Sequence, residues 1–232
     1  MKTKGLKWAA PGSAILATAA ILAIGAGGSH RAHAADNSGL PQGFSGLLND
    51  YTPPAPTVSG GPYEMHGKWA LHLSEPNGAT FTAEMTMETA DFANTDPNHD
   101  PTQLSPHTHH INMTGGVVHN DPTDPINWTT QCPTLKPPAT GGFVVTGTAY
   151  VTGNGGNPPF GNPSPITICI LGGSQNSGIT GAQAFVEFSN FTLTFGAPAN
   201  THFGTQAING VVAKCESLRS RDSSDCKVAI VN

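Results

Sequence analysis

The sequence predicts an all-β protein whose main domain is a single antiparallel β-barrel of about seven to eight strands. Apolar and polar residues alternate with a period of two over long stretches, which is typical of strands with one buried face. The chain contains 28 Gly and 20 Pro among its 232 residues, and clusters of them separate the alternating stretches. Only 11% of the residues are charged, so the composition also excludes a coiled coil or a helical bundle.

The chain divides into four predicted segments. Residues 1–34 form a signal peptide, and residues 35–62, rich in Pro, Gly and Ser and without a sustained period, form an extended arm. Residues 63–214 form the barrel domain, whose size suits one domain and not two. Residues 215–232 form a polar tail that contains a disulfide loop.

Alternation begins with two strands that form a hairpin. Apolar side chains occupy odd positions between residues 65 and 73 and again between residues 81 and 87, while Glu, Lys, His and Thr occupy even ones. The pair Asn77-Gly78 lies between these runs and is a strong hairpin signal. We therefore expect consecutive strands to pair as a meander.

The alternating pattern continues through residues 143–151 and 166–170. In the run 185–195 the apolar positions change from even to odd near Ser189-Asn190, which predicts a β-bulge there. Residues 206–213 form the last strand. A meander of this kind favours a closed barrel, because closure removes exposed sheet edges. A two-sheet sandwich or jelly roll is the alternative.

The first residues have the features of a secretory leader. Lys2, Lys4 and Lys7 precede an apolar stretch over residues 14–24, which is too short to cross a bilayer as a helix. Ala32-His33-Ala34 then supplies the small residues that a signal peptidase requires, and this predicts cleavage after Ala34. We expect a secreted or periplasmic protein with no transmembrane segment after the leader is removed.

The charge of the mature chain bears on its partners. Removal of residues 1–34 takes away four of the ten Lys and Arg residues and none of the fifteen acids, which leaves a net charge of −9. A surface this acidic repels a phosphate backbone, so nucleic acid is excluded as a partner. A small molecule is the more plausible kind of binding partner for a chain of this composition.

The chain contains four cysteines, and an even number in an exported protein predicts disulfides. The most local of the three pairings joins Cys132 to Cys169 and Cys215 to Cys226. Because the cysteines show no CxxC spacing, a cysteine-based metal site is not supported.

Histidines cluster at the start of one predicted strand. His107 and His109 share a face with Ile111, which points them towards the interior, whereas His110 faces solvent. His202 precedes the last strand with inward parity, and closure of the sheet can bring it beside the pair. A set of three imidazoles with an open position suits Zn, Cu, Fe or Mn. The alternative is a polar strand mouth whose imidazoles hydrogen-bond loop backbone.

The remaining histidines of the mature chain lie on a polar strand face or in Asp- and Pro-rich loops. We expect all four of them to be solvated, namely His66, His72, His99 and His119.

Two resemblances involve the same residues. The H-x-H pair, followed later by Gly196-Ala197-Pro198 and His202, resembles fragments of the two cupin motifs, although residues 111–116 contain no Glu. Residues 63–212 resemble a group of uncharacterised exported bacterial and fungal β-proteins that share the PHTHH and HFG segments. This second resemblance implies one compact β-domain and assigns no activity.

The sequence thus predicts an exported metal-binding β-barrel with His107, His109 and His202 as ligands. The same site would suit a metal-dependent enzyme that acts on a small organic substrate. Two other functions stay open. One is a metal-free barrel that binds a small apolar ligand, and the other is a structural envelope protein.

Overall fold

Eight antiparallel strands close into a barrel in the computed structural model of this protein, which confirms the predicted fold class. The structure describes residues 40–54, 57–58, 61–89, 106–153, 160–175, 185–216 and 226–229. The predicted signal peptide, residues 1–34, lies outside these described residues.

The strands follow one another around the barrel in chain order. They are β1 Gly43–Tyr51, β2 Tyr63–Ser74, β3 Gly78–Thr89, β4 His107–His119, β5 Gly141–Gly153, β6 Ser164–Gln175, β7 Phe185–Phe195 and β8 Ile208–Glu216. Each strand pairs with the next, and β8 pairs with β1, so the ring is closed and a sandwich is excluded. A short strand, β9 Lys227–Ala229, pairs with the first residues of β7 outside the ring.

Two short helices interrupt the connections between strands. The first, α1 Trp128–Gln131, lies between β4 and β5, and the second, α2 Asn200–Phe203, lies between β7 and β8. Asn127 caps α1, because its side-chain oxygen accepts a hydrogen bond from the Thr129 backbone N–H. In the described part of the chain, no helix has the length and apolar character needed to cross a bilayer.

The prediction of an arm over residues 35–62 is wrong for residues 43–51, which form β1 between β2 and β8. The alternation of this strand is hidden in the sequence. Gly46 occupies an inward position between the buried Phe44 and Leu48, and Leu47 faces outward with 58% of its surface exposed. A Cβ atom on Gly46 would collide with the carbonyl oxygen of Val211, so close packing against β8 explains the missing apolar residue.

The side chains predicted to face inward are buried. Those of the first hairpin are Met65, Trp69, Leu71, Leu73, Phe81, Ala83, Met85 and Met87. Trp69 stacks on Phe191 with ring centroids 4.1 Å apart, and the centroid of Phe81 lies 6.0 Å from that of Phe191. Large side chains from β2, β3 and β7 therefore contact one another inside the barrel, as in other small barrels whose interior is a packed core.

The bulge predicted in β7 is confirmed. Leu171 of β6 pairs with Asn190, but the next residue, Gly172, pairs with Phe188, so the register passes over Ser189. Apolar residues on both sides of Ser189 remain buried although their parity in the sequence changes.

Both predicted disulfides are present, Cys132–Cys169 and Cys215–Cys226. The first fixes the connection between β4 and β5 to the outer face of β6. Val144 and Leu171 are buried beneath that connection, where Trp128 packs against them. This second, smaller core lies outside the barrel and explains why both faces of β6 are apolar.

We expect Gly46→Ala to destabilise the protein by about 1–3 kcal/mol, because the new methyl group must displace the β8 backbone at the seam that closes the barrel. Gly173→Ala is the matched control in another strand, since a Cβ atom there meets nothing within 4 Å. Urea unfolding would measure both variants. Equal stability of the two variants would contradict this account of the seam.

Candidate metal centre

Three imidazoles meet at one end of the barrel. His107 and His109 come from the first residues of β4, and His202 comes from α2, which lies between the end of β7 and the start of β8. The structure thus brings together the three histidines that the sequence predicts as ligands, across sequence separations of 93 and 95 residues.

The ring nitrogens converge on a common point. The Nε2 atom of His202 lies 3.1 Å from Nε2 of His109 and 3.3 Å from Nε2 of His107. One nitrogen from each ring lies within 4.8 Å of the other two. Two nitrogens bound to Zn²⁺ at ~2.0–2.1 Å with a tetrahedral angle stand about 3.3 Å apart. The two separations from His202 therefore fit ligands of one ion.

Strand geometry positions the first two rings. His107 and His109 occupy alternate positions of β4, so both point to the interior, and their ring centroids are 4.9 Å apart. Thr108 between them points outward, where its hydroxyl group is 3.2 Å from that of Thr86. The pair needs no irregular backbone to share one face.

Packing of α2 positions the third ring. Phe203 is fully buried and stacks on Phe195, the last residue of β7, with ring centroids 4.3 Å apart. Gly204 ends the helix with φ +87°, a conformation that favours glycine, and the chain then turns towards β8. His202 is therefore held over the barrel opening by a neighbour that belongs to the core.

Burial keeps two of the imidazoles neutral. Together with the neighbouring His202 and His107, it lowers the pKa of His109 to about 3, although the Thr152 backbone has the opposite effect. Burial, together with His107, also lowers the pKa of His202 to about 4. Neutral imidazoles offer the lone pairs that a metal ion requires.

The second nitrogen of His109 is also in an unusual position. Nδ1 of this ring is buried, and among the described residues no hydrogen-bond partner is aligned with it. The Thr152 backbone favours a proton on the His109 ring. A proton on Nδ1 leaves Nε2 unprotonated and directed at the other two imidazoles, as metal-ligating histidines require.

Aromatic rings surround the cluster. Tyr63 lies 5.8 Å from His107 and 6.0 Å from His202 between ring centroids, and Phe160 lies 5.6 Å from His202. Phe203 lies below them, 5.1 Å from His109. Burial raises the pKa of the Tyr63 phenol, so this group stays neutral. Neither Tyr63 nor Phe160 belongs to a motif in the sequence that indicates a site residue.

His110 lies outside this centre. It is exposed on the outer face of β4, as predicted, with Nδ1 3.9 Å from a carboxylate oxygen of Glu84. That carboxylate also lies 3.6 Å from Nζ of Lys68. Exposed pairs at such distances contribute little to stability.

The prediction that His119 is solvated is wrong, whereas His66 and His72 are exposed as expected, and His99 lies outside the described residues. The His119 side chain is only 12% exposed. Its Nδ1 lies 3.1 Å from a carboxylate oxygen of Asp124, and its Nε2 lies 2.9 Å from the Thr146 hydroxyl. The ring thus ties the loop after β4 to the outer face of β5.

Comparison of the chain with models of protein families, with curated proteins and with solved structures gives no match. The resemblance to exported proteins with PHTHH and HFG segments therefore stays a prediction, and the function has to be argued from the site itself.

We expect the metal-free protein to lose stability as the pH falls below about 6.5, the pKa of an unfolded histidine. The unfolded chain then binds protons that His109 and His202 in the folded chain do not bind, because their pKa values are about 3 and about 4. Each of the two histidines lowers the free energy of unfolding by up to about 1.4 kcal/mol for every unit by which the pH falls. Urea unfolding with EDTA between pH 6.5 and 5.0 would measure this slope.

His109→Gln should reduce that slope, whereas the exposed His66→Gln should leave it unchanged. If all three proteins showed the same dependence on pH, neutral burial of His109 would be contradicted.

Proposed function

We propose that this protein is an exported metal-binding β-barrel in which His107, His109 and His202 hold one divalent transition-metal ion. The observation that carries the proposal is the convergence of three Nε2 atoms, with two of their separations at 3.1 and 3.3 Å. Export is supported by the two disulfides, which form and persist in oxidising compartments.

The donor set narrows the choice of metal. The groups that converge at the centre, among the described residues, are all imidazoles. Imidazole suits Zn²⁺ and Cu²⁺ well, and it also suits iron, whereas Mn²⁺ prefers oxygen ligands. We therefore propose Zn²⁺ or Cu²⁺ in preference to Fe²⁺ or Mn²⁺.

The contacts of the rings favour a metal over the alternative of a polar strand mouth. In that alternative the imidazoles hydrogen-bond loop backbone. The Nε2 atoms of His109 and His202 instead face one another at 3.1 Å, at the bottom of a site walled by aromatic rings. Direct convergence of buried ring nitrogens is the arrangement that a shared cation stabilises.

Three protein ligands leave a coordination position for water or for a substrate atom. His107 and His202 are only partly buried, so this position is accessible from the end of the barrel. A metal in such a site lowers the pKa of bound water or polarises a carbonyl group. We infer that the protein is an enzyme of this kind, acting on a small organic substrate.

The packed interior of the barrel disfavours the alternative function, which is the binding of a small apolar ligand without a metal. Such a protein needs a central cavity, whereas the buried rings of Trp69, Phe81 and Phe191 pack together inside this barrel. One groove of the described residues, of about 630 Å³, lies on the outer face, where its lining includes the outward residues Ser45, Ala70 and Thr82.

Elemental analysis would test the proposal. We expect the untagged chain, purified without chelators, to contain about one transition-metal ion per molecule. The double variant His107→Ala, His109→Ala should contain none, and the control His110→Ala should contain as much as the wild type, because His110 points away from the centre. A double variant that kept its metal would rule out this site.

The contribution of His202 can be measured separately. We expect His202→Ala to weaken Zn²⁺ binding by more than 100-fold, which exceeds the usual effect of losing an outer-shell partner. Thr205→Ala, a change at an exposed neighbour, is the control. Competition with a chromophoric chelator gives the affinities, and circular dichroism reports whether the fold is kept. Unchanged affinity in a folded His202→Ala protein would exclude it as a ligand.

A further inference from the structure

The three-histidine cluster supplies no negative charge to a bound cation. Imidazoles that bind a metal are neutral, and the described groups that converge with them include no carboxylate. Three neutral imidazole ligands would therefore leave the charge of a divalent ion uncompensated by the described residues. Charges interact strongly in weakly polar surroundings because screening there is poor. The open position thus favours an anionic donor.

The surroundings of that position are aromatic. Tyr63 stands on one side, near His107 and His202, and Phe160 stands 6.3 Å from His109 and 5.6 Å from His202 between ring centroids. Both rings pack against the core and remain partly exposed. Exposed ring surface beside a charged centre provides contact area for a flat, apolar group.

Burial defines the direction from which a ligand approaches. His109 is only 2% exposed and forms the bottom of the site, with the fully buried Phe203 beside it. His107 and His202 are partly exposed. A ligand that reaches the nitrogens must therefore enter from the end of the barrel and lie next to Tyr63 or Phe160.

We propose that the site binds the carboxylate group of a small aromatic or otherwise flat apolar acid, whose body lies against Tyr63 and Phe160. This inference rests on the proposed function, since the carboxylate takes the position that the three histidines leave open on the ion. It names the substrate class as an organic acid of limited size.

Spectroscopy of the cobalt-loaded full chain would test this inference with benzoate as the probe. Co²⁺ replaces Zn²⁺ in imidazole sites and gives visible bands that change when a ligand enters its coordination sphere. We expect benzoate to change these bands and to bind at least tenfold more tightly than acetate, because acetate lacks the ring. Benzamide, which is neutral, should leave the bands unchanged.

Variants distinguish the aromatic contacts from a general effect of the metal. Phe160→Leu and Tyr63→Leu should each lower the preference for benzoate over acetate about threefold to tenfold, with cobalt content unchanged. Tyr63→Phe keeps the ring and should keep the preference. Tyr150→Leu is a control that faces away from the site, because Tyr150 is 62% exposed on the outer face of β5.

The outcomes separate this inference from the proposed function. If no cobalt bands form, the metal site itself is wrong and the ligand inference falls with it. If cobalt binds but benzoate binds no better than acetate, or benzamide changes the bands as benzoate does, only the ligand inference is overturned. A preference for benzoate that survives both leucine variants would also overturn it.

Discussion

Closure of the barrel between β1 and β8 is the constraint on which the rest of the structure depends. Two glycines allow β1 and β8 to approach closely. A Cβ atom on Gly46 would collide with the carbonyl oxygen of Val211, and a Cβ atom on Gly210 would collide with the carbonyl oxygen of Leu47. Once β8 is paired with β1, the connection from β7 must cross the same opening at which β4 begins. The meeting of His202 with His107 and His109 is a result of this closure.

The features that sequence reasoning recovered are those set by local periodicity. A strand places alternate residues on one face, so the inward side of β2 and β3, and the shared face of His107 and His109, follow from spacing alone. The bulge at Ser189 was visible for the same reason, as a change of parity. Periodicity is reliable here because one face of each strand must be buried in a common core.

Other features depended on contacts that the sequence does not encode locally. Strand β1 was missed because Gly46 replaces an apolar residue at the seam and Leu47 is exposed. Tyr63 and Phe160 reach the histidines from β2 and from the segment before β6, so their role depends on the register of the closed sheet. For His119, the partner Asp124 belongs to a loop without period, and only tertiary structure shows the pair.

Strand β4 begins and ends with a histidine, and these two histidines make different contacts. His107 belongs to the three-histidine cluster at one end of the barrel. His119, the last residue of the strand, binds Asp124 and Thr146, and Cys132 links the same loop to β6 through a disulfide. The second disulfide likewise begins near the far terminus of β8, at Cys215. Covalent cross-links are thus concentrated towards the end of the barrel opposite the imidazoles. The described connections around the histidine end are held instead by packing and hydrogen bonds, such as those that Asn162 makes with both backbone groups of Val151.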